Sequence, residues 1–119
     1  MTQFATLAGM NAAVDLRTPR SSYDAFCRSI LQGKTEQLWS IVHPELRFLL
    51  QRQYYQMGEF RFLSSLRDLV AGGGLRLALG NPEPVTSGTV RCPLLRSGHQ
   101  VGQARFSFSE NSWLLYSLN

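Results

Sequence analysis

At 119 residues, with 44% hydrophobic and 17% charged side chains, the chain is long enough to bury one core and too apolar to stay disordered. Its net charge of +4 comes from eleven arginines and one lysine and divides evenly, +2 over residues 1–74 and +2 over 75–119, so no basic tail marks a nucleic-acid arm. Cys27 and Cys92 have no second pair with which to build a zinc cluster or a disulfide framework, and no stretch reaches the roughly 20 apolar residues of a membrane span.

Residues 1–19 read as an N-terminal arm, with Phe4, Leu7, Ala8 and Val14 forming one short helical stripe, and residues 20–119 as a single domain. The opening MTQFATLAGMNAAV has no basic leader of the secretory kind, which predicts a cytoplasmic location. Ser21 followed by Asp24 predicts a capped helix start, just after the break at Thr18-Pro19. Tyr23, Phe26, Cys27, Ile30 and Leu31 then recur at the spacing of one buried helical stripe, and Gly33 stops the helix. Thr35 predicts the cap of a second, shorter helix through Leu38, Trp39 and Val42. That helix ends at His43, where Pro44 disfavours helical geometry and can open the next one.

The third helix is predicted from Pro44 to Met57, with Leu46, Leu49, Leu50, Tyr54 and Met57 on its apolar side and Gly58 at its end. A fourth carries Phe62, Leu63, Leu66, Leu69 and Val70 and stops at Gly72-Gly73-Gly74. Beyond the glycines the apolar period falls to 2, first at Leu75, Leu77 and Leu79. Asn81-Pro82-Glu83-Pro84 turns the chain into a strand from Val85 to Arg96. Ser97-Gly98 turns it into Gln100–Ser109, and Glu110-Asn111 into Ser112–Leu118. Three to four helices followed by a four-stranded antiparallel meander define an α+β domain, with the helices covering one face of a curved sheet.

Register decides which side chains face that core. A two-residue turn at Glu110-Asn111 pairs Phe108 with Trp113 and Phe106 with Leu115 on one face. Leu94 and Leu95 break the alternation, and Pro93 cannot donate a ladder bond. A bulge near Pro93 is therefore predicted, turning Val90 and Cys92 inward and Arg91 outward beside Arg105, since an unpaired buried guanidinium costs several kcal/mol. Both cysteines fall on core faces and read as buried thiols.

The segment Ser22 to Leu46, above all QGKTEQLWSIVHPEL, resembles the opening of the nuclear transport factor 2-like superfamily: a first helix, a glycine, a short second helix and a His-Pro break. The similarity continues as topology to the closing strand SWLLYSLN, although Lys34 stands where many members carry Asp. The resemblance implies a cystatin-like cone, a sheet curled around helices with an apolar pocket that some members use for catalysis and others for binding. Trp39, Tyr54, Tyr55, Phe106, Phe108, Trp113 and Tyr116 are the candidates to line it, the phenols as hydrogen-bond donors in an apolar wall.

An isomerase-like site needs a carboxylate base and an oxyanion donor inside that cone. Glu83 and Glu110 fall in predicted turns, Glu36 and Glu45 at helix starts, and Asp24 beside a cap with Arg28 four residues on. Glu59 and Asp68 read as exposed helical charges, and no catalytic carboxylate is assigned. His43 reads first as the cap of the third helix or as a solvent-exposed side chain, and it is the one candidate base if the site is enzymatic. His43 and His99 lack the spacing of a metal site, and no cofactor is expected. The leading expectation is a noncatalytic ligand-binding or dimerisation module with a small apolar ligand. The first alternative is a small-molecule isomerase, dehydratase or cyclase that uses the pocket. A homodimer is expected through Leu114, Tyr116 and Leu118 on the outer sheet face. Arg76, Arg91 and Arg105 on that face form the second alternative, an acidic-partner or nucleic-acid patch, although they lack the interleaved aromatics of single-strand readers.

Overall fold

The computed structural model describes residues 14–71 and 76–119; the stripe over Phe4, Leu7 and Ala8, the glycine run 72–74 and Leu75 lie outside the described residues. Four helices come first: α1 (Pro19–Leu31), α2 (Thr35–Ile41), α3 (Pro44–Met57) and α4 (Glu59–Ala71). Five strands follow: β1 (Ala78–Leu79), β2 (Glu83–Thr86), β3 (Thr89–Arg96), β4 (His99–Ser109) and β5 (Ser112–Leu118). They form one antiparallel sheet in the order β1-β3-β4-β5, with β2 also on β3, curled as a half-barrel over the helices.

Helix α1 is the centre of the core. Its cap is Thr18, not Ser21: Thr18 Oγ1 accepts from the Ser21 N–H at 3.0 Å, and the Thr18 N–H donates to Ser21 Oγ at 3.1 Å. Pro19 therefore opens the helix rather than ending what precedes it, because its missing N–H is one that the first turn leaves unpaired anyway. Tyr23, Phe26, Cys27 and Ile30 are buried essentially completely, as their spacing predicts, whereas Leu31, expected on the same stripe, is 52% exposed at its edge. Two hydroxyls fasten α1 to the sheet layer, Ser22 Oγ to the Trp113 carbonyl at 2.6 Å and Tyr23 OH to the Leu77 carbonyl at 2.8 Å. Leu16, in the expected arm, accepts from the Trp113 N–H at 2.8 Å, so residues 14–18 are tied to β5. In α2, Thr35 is the first helical residue and Lys34 the uncapped N-cap, so the expected Thr35 cap does not form.

The sheet departs from the expected four-strand meander in three places. Ser87-Gly88 makes a hairpin turn with Gly88 at φ +79°, splitting the run from Val85 into β2 and β3, much as Ser97-Gly98 separates β3 from β4. β1 and β2 then share one edge of β3, with Leu79 opposite Leu94 and Glu83 opposite Arg91. Gly80 crosses between them against Pro93: its N–H donates to the Pro93 carbonyl at 2.8 Å, and a Cβ there would stand 2.5 Å from the proline ring. In an antiparallel strand the N–H and C=O of one residue point to the same neighbour, so the donor that Pro93 lacks falls in the gap between β1 and β2.

The predicted bulge lies across the ladder from its expected place. Leu94 pairs with Gly102 and Leu95 with Gln100, so the extra residue is Val101 on β4 rather than one near Pro93. The sides are as expected: Cys92 and Leu94 are buried, while Arg91 turns out opposite Arg105 and pairs with Glu83 at 2.7 Å. A second bulge went unforeseen. Phe106 pairs with Leu115 but Arg105 with Ser117, which makes Tyr116 the extra residue of β5. From that point the alternation reverses, and Leu118, expected on the outer face, shares the core side with Ala104.

Candidate functional site

The hairpin of α3 and α4 sits differently from the rest. α4 presents Phe62, Leu63, Leu66 and Val70 to the core, whereas α3, of 14 residues, buries only Leu50. α3 touches β5 but packs only loosely on α4, and a groove of about 540 Å³ lies between the two helices. The walls are hydrocarbon: Leu46, Leu49 and Leu50 from α3, Leu66 and Leu69 from α4, Phe26 from α1 and Leu118 from the end of β5. Gln53, Ser65 and Asp68 add polar groups to the lining. A smaller cavity of about 120 Å³ lies next to it, bounded by Tyr23, Val70, Leu77, Leu94, Val101 and Gly102, with Leu69 and Leu118 common to both. The two bulges build this region, one by placing Val101 in the wall and the other by turning Leu118 inward.

The pocket candidates named from sequence are distributed over four other places, and none of them lines either cavity. Trp39 and Tyr54 meet with Phe62 in an aromatic cluster, centroids 5.5–5.9 Å apart, that braces the closed end of the hairpin; Tyr54 OH donates to Glu59 Oε1 at 3.3 Å. Tyr55 packs on Tyr54 but is 80% exposed, because it points away from α4. Phe106 is fully buried beneath α1, whereas Phe108 overhangs the end of the sheet against Trp113 at 5.0 Å. Tyr116, at its bulge, packs edge-on against His43 at 5.1 Å.

His43 is a cap. Its Nδ1 accepts from the Glu45 N–H at 3.2 Å, and its backbone N–H donates to the Leu115 carbonyl at 2.7 Å, pinning the α2–α3 junction to β5. The arginine patch is smaller than expected. Arg76 lies on the helix side, paired with Asp24 and 5.0 Å over the Tyr23 ring, because it precedes β1 and so has no place on the sheet's outer face. Asp24 is thereby engaged across the fold and serves neither as a cap nor as a partner of Arg28. Arg91 and Arg105 remain neighbours on the outer face, with Arg105 Nε buried and unpartnered among the described residues. Of the expected dimer strip, Leu118 faces inward and Tyr116 covers His43, which leaves Leu114 alone.

The thiols are free and buried. Burial pushes Cys92 up to about 11 and also raises Cys27 and the Tyr23 phenol, so all three stay protonated near neutrality. Among the described residues no three His, Cys, Asp or Glu side chains gather as a metal site, and no helix is long and apolar enough to cross a membrane. Compared with protein-family models, curated proteins and solved structures, the chain matches none. Apart from Leu118, which the sequence placed on the outer sheet face, the apolar residues that build the groove went unnamed as a site because each reads as an ordinary helical core position. The available signal was the excess on α3, where Leu46, Phe48, Leu49, Leu50, Tyr54 and Tyr55 cover more of the helix than one core-facing stripe requires.

Proposed function

We propose that the protein is a noncatalytic binding module of the cone type, akin to the nuclear transport factor 2-like proteins, which takes a small apolar ligand in the α3–α4 groove. The observation that carries this reading is the groove's lining: seven hydrocarbon side chains with Gln53, Ser65 and Asp68 among them, around about 540 Å³. That volume lies within the roughly 300–1,000 Å³ of small-molecule sites, and mostly apolar walls with a few polar groups are how such sites combine affinity with orientation. An isomerase, dehydratase or cyclase would need a base and a donor to meet at the ligand. The residues named for those roles from sequence, His43, Tyr54 and Tyr116, are engaged elsewhere, and the groove's own carboxylate, Asp68, is solvent-exposed rather than enclosed with a donor.

Titration of 15N-labelled protein with 1-dodecanol, followed by NMR, tests the reading. The amides of Leu50, Leu66, Leu69 and Leu118 should shift together and saturably. Leu69→Trp, which fills the boundary between the two cavities from a half-exposed position, should abolish the response while leaving the fold intact. Shifts scattered over the surface, or shifts untouched by Leu69→Trp, would refute it.

A further inference from the structure

Ten large apolar side chains are exposed among the described residues, and six of them belong to the α3–α4 hairpin. Phe48 is 65% exposed, Leu49 52%, Tyr55 80% and Phe60 84%. Single exposed hydrophobes need no explanation, but a concentration on one element marks an interaction surface. At 100° per residue, Glu45, Phe48, Leu49, Arg52 and Tyr55 fall on one stripe of α3, opposite the side that buries Leu50. The stripe therefore has an apolar middle flanked by one acidic and one basic side chain, and neither charge has an ion-pair partner among the described residues.

We propose that this stripe is the interface of a homodimer in which α3 packs antiparallel against α3 of a second copy, with the two-fold axis between Phe48 and Leu49. A symmetric interface requires that whatever residue i meets, its counterpart meets in return. With the axis there, Phe48 faces Leu49 of the second copy. Glu45 and Arg52 stand seven residues apart, about 10 Å along the helix, too far to pair within one chain. Across the axis Glu45 meets Arg52, and the pair occurs twice. Neither of the other simple arrangements does this. A parallel pair sets Glu45 on Glu45 and Arg52 on Arg52, and an antiparallel pair centred on Arg52 again opposes like charges. Charge complementarity thus favours a second copy in one register over a partner of unrelated sequence. The outer sheet face offers less, since its centre carries Arg91, Arg105, Gln103 and Ser107. The dimer does not rest on what the groove holds, although Leu49 borders both surfaces.

Sedimentation equilibrium of the full chain tests it by charge exchange. The unaltered protein should be a dimer at micromolar concentration. Glu45→Arg and Arg52→Glu should each weaken association at least about tenfold, because each places like charges together twice. The double variant, with the charges exchanged, should recover most of that loss. Glu45 also sits in the first turn of α3, where an acid suits the helix dipole. Glu45→Arg and the double variant lose that contribution alike, so recovery relative to that single variant can come only from the pairing. Far-ultraviolet circular dichroism of each variant should be unchanged, as both positions are exposed. A monomeric wild type, a dimer indifferent to both reversals, or a double variant no better than the singles would overturn the proposal.

Discussion

Helices α1 and α3 are nearly equal in length, 13 and 14 residues, yet α1 buries seven of its side chains and α3 one. Both are rich in apolar residues, and they differ in arrangement. In α1, Tyr23, Phe26, Cys27 and Ile30 fall on one stripe, while Ser22 and Tyr23 reach the sheet layer by hydrogen bonds at its two ends. In α3 the apolar residues divide between an inner side, Leu46, Leu50 and Tyr54, and an outer side, Phe48, Leu49 and Tyr55. One helix holds the fold together. The other rests on it through a thin seam and has apolar surface left over on both the groove and the outer side. On the reading proposed above, stability rests with α1 and recognition with α3.

The most direct way to break that contrast is to truncate one side chain in each helix. Phe26→Ala empties a fully buried site beneath the sheet and should cost about 4 kcal/mol in urea unfolding. Leu50→Ala removes the one buried side chain of α3 beside an existing groove, where little new void is created, and should cost about 2 kcal/mol. Equal losses would mean that α3 is as deeply integrated as α1 and that the groove is an accident of packing.

Alkaline pH sharpens the same contrast from the sheet layer. Cys92 ionises near its ordinary value of 9.0 in the unfolded chain but only at about 11 in the fold, because burial penalises the thiolate. Above pH 9 the unfolded chain therefore holds fewer protons than the native one, and stability falls as pH rises. The contribution is fully present below pH 9 and lost by about pH 11, up to about 2 kcal/mol. Urea midpoints measured from pH 8 to 11 should show that fall. Cys92→Ala, less stable at neutrality, should show a shallower one. A parallel decline in the two proteins would indicate that the thiol is in contact with water.

What could be read from sequence was whatever depends on near neighbours. The α1 stripe, the break at His43-Pro44 and the Glu110-Asn111 turn are all local patterns. Because that turn has φ of +50° and +64°, it fixes Phe108 opposite Trp113 as counted from sequence alone. Thr18 and Ser21 compete for one role with the same chemistry, and only the placement of Pro19 as first helical residue decides between them. The bulges at Val101 and Tyr116 are properties of two strands at once, so no single-strand alternation reveals them, and Leu118 changed sides with the second. The Asp24–Arg76 pair joins residues 52 apart, beyond any local rule. The groove was least legible of all, because it is the space left between two loosely packed helices, and periodicity describes faces rather than gaps.

The smallest expected effect isolates the outer side of α3. Phe48→Ser exchanges a 65%-exposed ring for a hydroxyl on a helix surface, where no core contact is lost and the change in helix propensity is slight. In dilute solution, with the chain monomeric, its unfolding free energy should lie within about 0.5 kcal/mol of the parent's. That outcome would leave contact with a second copy, as proposed above, as the role open to Phe48. If Phe48→Ser instead destabilised the dilute monomer as much as Leu50→Ala does, Phe48 would belong to the core, and α3 would have no outer side to offer. Thermal or urea unfolding of the two variants side by side decides between a helix with two apolar sides and a helix with one.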